Sequence, residues 1–316
     1  MTHKPPRLVR SHYVDLPVVE ASGLAARRTD DALRVLAVGD RTAHLAVSTY
    51  APASGLGDWQ MIDLSLVPGW PVPADDSQLE AIAVDGGRLV ALMREDPPVV
   101  LVADTEQRAI VAQITLTAPS GSPLAGRWDD PSSRGEGLVL LRNGRLLVAK
   151  EKRPRALVEF RPAGTGTGGL SRSDFLAPGE SWEAPTGELE YEATSLWRLR
   201  GKAKDALRDI SALAVGRDRS LWLLSDKSSA VARLSLDTPL RLGDATIRNF
   251  DELWRLPKRT KKPEGIVALD EEHILVAMDT GSTRRNGMVV CRPTSKPDAF
   301  RGSAGAERRP ILRTST

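Results

Sequence analysis

The chain has 316 residues, with 44 Lys and Arg against 41 Asp and Glu; 27% of residues are charged, 41% hydrophobic and 4% aromatic. That balance suits a soluble globular protein long enough to bury a large core. A net charge of +3 over this length is too weak to argue for nucleic acid, where a clustered basic face is expected, and no nucleic-acid partner is expected.

The opening segment MTHKPPRLVRSHYVDLPVVEASGLA has no continuous apolar h-region, and no stretch approaches the 18 apolar residues of a membrane span. A soluble, cytoplasmic, monomeric protein is the expectation. Within that segment RLVRSHYVDLP reads as a strand without a partner nearby in sequence. Five copies of one unit then follow, each with an acidic residue, a small residue, an aliphatic residue and an apolar run: EASGLA at 20–25, EAIAVD at 80–85, EGLVLL at 136–141, DISALAV at 209–215 and EGIVALD at 264–270. The small residues are Gly23, Ala81, Gly137, Ala212 and Gly265. In every copy a turn and a second apolar run lead to another acid: Asp40, Glu95, Glu151, Asp226 and Asp279. The separation from small residue to second acid is 17 in the first copy and 14 in each of the other four.

The apolar runs are short, aliphatic and bounded by turns such as VDGGRL, LRNGRL and GRDRSL, which marks hairpins of buried strands. In the second copy PPVVLVADTEQRAIVAQITL adds a third and a fourth strand. Repeated four-stranded antiparallel meanders predict an all-β fold, a β-propeller. The small residues lie 58, 56, 75 and 53 residues apart, which favours five blades, with six as the alternative. The last copy supplies three strands, ending in GMVVCRP, so the N-terminal strand is expected to complete its sheet and close the ring. One propeller domain over 1–292 is expected, followed by a basic flexible tail over 293–316.

The longest gap holds RPAGTGTGGLSRSDFLAPGESWEAPTGE. Its GTGTGG has neither the GK[ST] nor the strand-to-helix context of a phosphate loop, so a flexible surface loop is expected. Trp197-Arg198-Leu199 and Trp254-Arg255-Leu256 recur before the fourth and fifth units and read as outer-strand packing positions. Cys291 is the one cysteine, which excludes an intrachain disulfide and a Cys-based zinc site; it reads as a small buried apolar residue.

In a propeller the start of the first strand and the end of the second lie on the same face of the disc, so both acidic sets converge there. The inner acids are Glu20, Glu80, Glu136, Asp209 and Glu264, three of them one residue before the small residue and Glu20 and Asp209 three before it. Offsets of one and three share a side of a strand, which places Ser22 and Ser211 at the level of the three Glu, with Glu20 and Asp209 above. Two unit charges about 5 Å apart repel by roughly 3 kcal/mol at an effective dielectric near 20. Protonation, basic neighbours or a bound cation must offset this. Arg41, Arg94, Lys150, Lys152 and Lys227 adjoin the outer set, whereas Glu20, Glu80, Glu136 and Glu264 of the inner set have no adjacent basic residue. An oxygen-only donor set suits Ca2+ in preference to Mg2+ or Zn2+.

These motifs, E-x-S-G-L, L-E-A-I, G-E-G-L, D-I-S-A-L and P-E-G-I in order, with KEKRP and SDKSSAV, resemble the SdiA-regulated family of bacterial propellers, akin to esterase-like phytase domains and to NHL repeats. The likeness covers about residues 8–292. It implies a five-bladed propeller with a calcium site and no established reaction, the metal candidates being Glu20, Glu80, Glu136, Asp209 and Glu264. Members of that family are often exported, which the opening segment here does not suggest.

Three functions are open: a calcium-binding propeller that recognises a small-molecule or protein ligand at its acidic mouth, a metal-dependent hydrolase of phosphate esters, carboxyl esters or lactones, and a protein-interaction scaffold. The second ring of Asp40, Glu95, Glu151, Asp226 and Asp279, with Ser22, Ser211, Lys152 and Lys227, is the candidate ligand surface. None of His3, His12, His44 and His273 is placed at the mouth by the repeat, and no GxSxG occurs, which argues against a Ser-His-Asp hydrolase. Residues 293–316 carry five basic and two acidic residues, so the whole net charge of +3 sits in the tail. The body is neutral and polarised, with an acidic mouth and a basic remainder.

Overall fold

A computed structural model describes residues 4–28, 32–73, 75–122, 124–128, 130, 134–164, 169–241, 246–270, 273–281 and 286–292. The tail from 293 onward and positions 165–168 of the GTGTGG run lie outside these. The strands are β1 (Val9–Leu16), β2 (Ala21–Arg28), β3 (Leu33–Gly39), β4 (His44–Ala51), β5 (Gly55–Leu56), β6 (Gln60–Asp63), β7 (Leu79–Val84), β8 (Leu89–Arg94), β9 (Val99–Asp104), β10 (Ala109–Thr117), β11 (Gly135–Leu141), β12 (Arg145–Lys150), β13 (Ala156–Pro162), β14 (Gly187–Leu199), β15 (Ala212–Val215), β16 (Leu221–Ser225), β17 (Ala230–Leu234), β18 (Thr246–Ile247), β19 (Glu252–Arg255), β20 (Pro263–Ala268), β21 (Ile274–Met278) and β22 (Asn286–Arg292). Among the described residues a short α-helix, α1 (Gly201–Ala206), interrupts them.

The fold is all-β and propeller-like. Antiparallel meanders run β2-β3-β4 with β5 and β6 sharing the fourth position, β7 to β10, β11 to β14, and β15-β16-β17-β19. The last sheet runs β20-β21-β22-β1, so the N-terminal strand completes the sheet of the C-terminal strands. Middle strands such as RLLVAK of β12, buried at all six positions, are apolar on both faces over their central residues, here LLVA, because a neighbouring sheet covers each face. Buried clusters fill the gap between each sheet and the next: Leu36 and Val38 with Ile82 and Leu92, Met93 with Val148 and Phe160, Leu147 and Trp197 with Leu223, Trp222 and Trp254 with Val276 and Cys291, and Val267 and Leu275 with Leu24 and Val35. Cys291 is a core residue, as expected, and burial pushes its thiol up to about 12. Trp197 and Trp254 sit buried on the fourth strands β14 and β19.

The small residue of each unit has a packing cause. The first strands meet in cyclic order, β2 on β7, β7 on β11, β11 on β15, β15 on β20 and β20 on β2. At that contact backbones approach closely: a Cβ on Gly137 would lie 2.8 Å from the Leu213 nitrogen, and one on Gly265 would lie 2.8 Å from Leu24 Cγ and 3.1 Å from its nitrogen. Gly137→Val should therefore cost about 1–3 kcal/mol or more through overpacking, read as a lower urea midpoint with an unchanged m-value; an unaltered midpoint would refute this account of the repeat.

Of the excursion between β13 and β14, positions 165–168, where the flexible loop is expected, lie outside the described residues, while the described part packs against the ring. Its described part is pinned by Phe175 and Trp182, both buried, and by bridges from Leu141 to Phe175 and from Leu170 to Leu240. It leads into β14, which pairs in parallel with β10 and so joins the second and third meanders into one continuous sheet. Arg145 holds the excursion through Asp174 and the Gly169 carbonyl, and is itself buried against Glu159 at 2.8 Å.

Candidate functional site

At the end of the ring where the first strands begin lies a cavity of about 360 Å3, lined by Glu20, Ser22, Asp40, Glu80, Glu95, Glu136, Glu151, Lys152, Asp209, Ser211, Asp226, Lys227, Glu264 and Asp279. Every candidate residue of the sequence reading is brought to it. Lys262 is there too and was missed, although it stands three residues before Gly265, the offset that Glu20 and Asp209 keep from their own small residues. Arg94 instead donates to the Ser77 carbonyl at 2.9 Å, and Lys150 is buried beside Trp128; neither lines the cavity.

The inner carboxylates are delivered by β-bulges. The pairing of β7 with β8 slips between Leu79 and Ala81, that of β11 with β12 between Gly135 and Gly137, and that of β20 with β21 between Pro263 and Gly265. Glu80, Glu136 and Glu264 are thus the extra residues, unpaired in the ladder and aimed at the cavity. In β2 the bulge residue is Ser22. Simple alternation along a strand, which the sequence reading assumed, does not describe these positions.

The two serines line the cavity but spend their hydroxyl protons on carbonyls. Ser22 donates its hydroxyl to the Leu79 carbonyl and Ser211 to the Pro263 carbonyl at 2.8 Å, each tying its strand to the next sheet. Asp209 is buried and accepts from the Ser225 hydroxyl and from the Lys227 backbone N–H at 3.2 Å. Glu20 sits at the rim with Arg41 at 3.1 Å. Its φ of +46° is unusual for a residue with a Cβ and marks local strain at the mouth. Of the five inner acids, the three bulge glutamates remain least satisfied.

The cations neutralise one side of the ring. Lys227 bridges Glu151 at 2.8 Å and Asp209 at 3.7 Å, Lys152 meets Glu151 at 2.5 Å, and Lys262 pairs with Asp279 and approaches Glu264 at 3.8 Å. Glu80 and Glu136 have no such partner among the described residues. Burial, reinforced by the charge of Glu95, pushes Glu80 up to about 8. Glu264 is pushed up to about 8 by burial despite the opposing pull of Lys262. Glu136 lies well above the carboxylate range, from burial and then from Glu80 and Glu264. Glu95 and Asp226 are raised by burial in the same way. Asp40 is raised to about 6 by burial and by Glu20, and its Oδ1 is buried without a hydrogen-bond partner.

The donor set, carboxylate oxygens with unbalanced charge, matches the chemistry of a hard cation. The spacing does not form a closed chelate: no group of three His, Cys, Asp or Glu among the described residues is placed to hold an ion directly.

The profile of the SdiA-regulated family matches residues 74–279, more than half of the chain. The chain belongs to the SdiA-regulated family. The matched span runs from just before β7 to Asp279 and contains Glu80, Glu136 and Glu264. No curated protein matches the sequence. Among solved structures, a streptogramin B lyase is similar at 12% identity and a TM-score of 0.44, over 89% of this chain and 98% of that one. A calcium-binding regucalcin from Agrobacterium tumefaciens is similar at 11% identity and 0.43, over 88% and 92%. A PQQ-bound aldose sugar dehydrogenase from Streptomyces coelicolor is similar at 12% and 0.40, over 92% and 99%. At these scores the likenesses carry no argument about function. Among the described residues no helix is long and apolar enough to cross a membrane.

Proposed function

We propose that this protein is a five-bladed propeller whose acidic mouth binds a divalent cation, Ca2+ in the first instance, and with it a small-molecule or protein ligand. The cyclic contacts of β2, β7, β11, β15 and β20 support the blade count. The observation that carries the cation is the trio of bulge glutamates: Glu80 and Glu136 face the cavity without a basic partner among the described residues, and Glu264 has one only at 3.8 Å. Glu80, Glu136 and Glu264 would hold the ion, with Asp40 offering its unpartnered Oδ1. Because these groups form no ready-made chelate, water completes the shell, which hydrated Mg2+ also tolerates. A bound cation would supply charge neutralisation and a polarising centre for an anionic or carbonyl ligand.

Thermal unfolding in Ca2+, in Mg2+ and in chelator tests this. Calcium at about 100 times its dissociation constant should add about 2.7 kcal/mol, and Glu136→Gln should remove most of that gain. Identical melting in chelator and in both ions would overturn the cation site. The hydrolase reading draws on Glu80 and Glu264, carboxyls pushed to about 8 and so able to donate a proton near neutrality. Background rates with phosphate esters, aryl esters and lactones in calcium would remove it.

A further inference from the structure

Beyond the acidic cavity the centre of the ring holds a second cavity of about 150 Å3. The five aliphatic residues that follow the small residues, Leu24, Ile82, Leu138, Leu213 and Ile266, all line it and are at most 4% exposed. Its walls are aliphatic down the length of all five inner strands, and its far end opens where those strands finish. Two cations stand at that opening, Arg28 at the end of β2 and Arg217 just past β15. Arg28 spends one nitrogen on the Leu269 carbonyl at 2.8 Å; Arg217 is exposed. The carboxylate in the lining, Asp85, is already engaged: it accepts from the backbone N–H of Gly87, Leu89 and Trp182 and faces Arg27 at 3.8 Å.

The excursion closes part of this opening. Leu176 to Gly179 lie along it, held by the Gly86 N–H donating to the Glu180 carbonyl at 2.8 Å and by Arg142 gripping the Glu180 carboxylate at 2.7 and 2.6 Å. Gly179 approaches Gly86 so closely that a Cβ on Gly86 would fall 2.2 Å from its carbonyl carbon. The far end is thus a built, partly covered mouth with a net positive lining.

We propose that this channel binds a small monocarboxylate with a compact hydrocarbon body. The hydrocarbon lies among the aliphatic side chains, and the carboxylate sits at the far mouth against Arg28 and Arg217. An apolar protein cavity near 150 Å3 is large enough for a benzene-sized group, and a guanidinium is matched to a carboxylate in charge and in its forked donor geometry. The acidic mouth, at the opposite end, repels the same ligand, so the two cavities select opposite charges.

Benzoate is the probe, with toluene as its uncharged counterpart, each titrated against the full chain by ligand-observed NMR. Benzoate should bind, and Arg217→Ala, a surface change, should weaken it about tenfold while leaving toluene unaffected. Ala214→Leu, which fills the channel, should remove both ligands while the circular dichroism spectrum stays native; Ala26→Leu, on a second wall, repeats the test should the first variant misfold. Absence of benzoate binding, binding indifferent to Arg217→Ala, or binding lost in Glu136→Gln at the opposite mouth would each overturn the proposal.

Discussion

Deleting residues 1–16 is expected to cost the protein its cooperative unfolding transition, because the last sheet then lacks its fourth strand. β1 pairs with β22 from Val9 to Leu16, and Leu8 and Leu16, each 2% exposed, plug into the clusters on either side of that sheet. Burying two leucines contributes about 3–6 kcal/mol. That is of the order of the whole stability of a domain, about 5–15 kcal/mol. The deletion also bares the edge of β22, a template for intermolecular pairing. Leu16→Ala, which leaves β1 in place, should cost about 2–5 kcal/mol and still melt as one unit. Scanning calorimetry separates these outcomes: a sharp transition at the wild-type temperature in the deleted chain would show that the ring does not depend on its N-terminal strand.

The repeat was legible because two physical demands recur in every sheet: a residue small enough for first strands to touch, and an acid where the second strand ends. The spacing of 14 is the length of one such hairpin. The first copy needs 17 because β2 and β3 run to Arg28 and from Leu33, longer than their counterparts. What stayed hidden depends on contacts between distant residues. A bulge leaves no trace in a pattern of alternation, so the right residues were assigned to the cavity while the reason they face it was not. Nothing near Ser22 and Ser211 in sequence reveals that the next sheet offers each hydroxyl a carbonyl. In the excursion Gly, Pro and Ser dominate the composition, whereas the buried Phe175 and Trp182 fix its described part. Lys262 does not show in a repeat defined by its acids, because it puts a cation where Glu20 and Asp209 put a carboxylate.

Between pH 5 and pH 8 the metal-free protein is expected to lose stability as the pH rises, against the usual trend for acid-rich proteins. In the unfolded chain a glutamate titrates near 4.3, whereas Glu80 and Glu264 keep their protons to about 8 in the fold. Across that interval the folded state binds more protons than the unfolded one, so the free energy of unfolding falls with pH, levelling off above about 8. Each tenfold difference in proton affinity between the two states is worth about 1.4 kcal/mol. With the lysines relieving part of the repulsion, a loss of at least about 2 kcal/mol is expected. Glu136→Gln replaces the most buried of these carboxyls with a group that does not ionise. It should therefore stabilise the metal-free protein at pH 8 by about 1–3 kcal/mol, leave it nearly unchanged at pH 5, and abolish the gain from calcium. A cation that must displace protons binds better as the pH rises, so in the unmutated protein calcium should raise the melting temperature more at pH 8 than at pH 5. Urea titrations of both proteins at the two pH values, in calcium and in chelator, give the stabilities, and thermal melts under the same conditions give the calcium shifts. The decisive one is the sign for Glu136→Gln at pH 8: a variant less stable than its parent would mean that the glutamates hold the ring together, whereas a more stable one that ignores calcium marks a charge kept at a cost to the fold for the sake of a ligand.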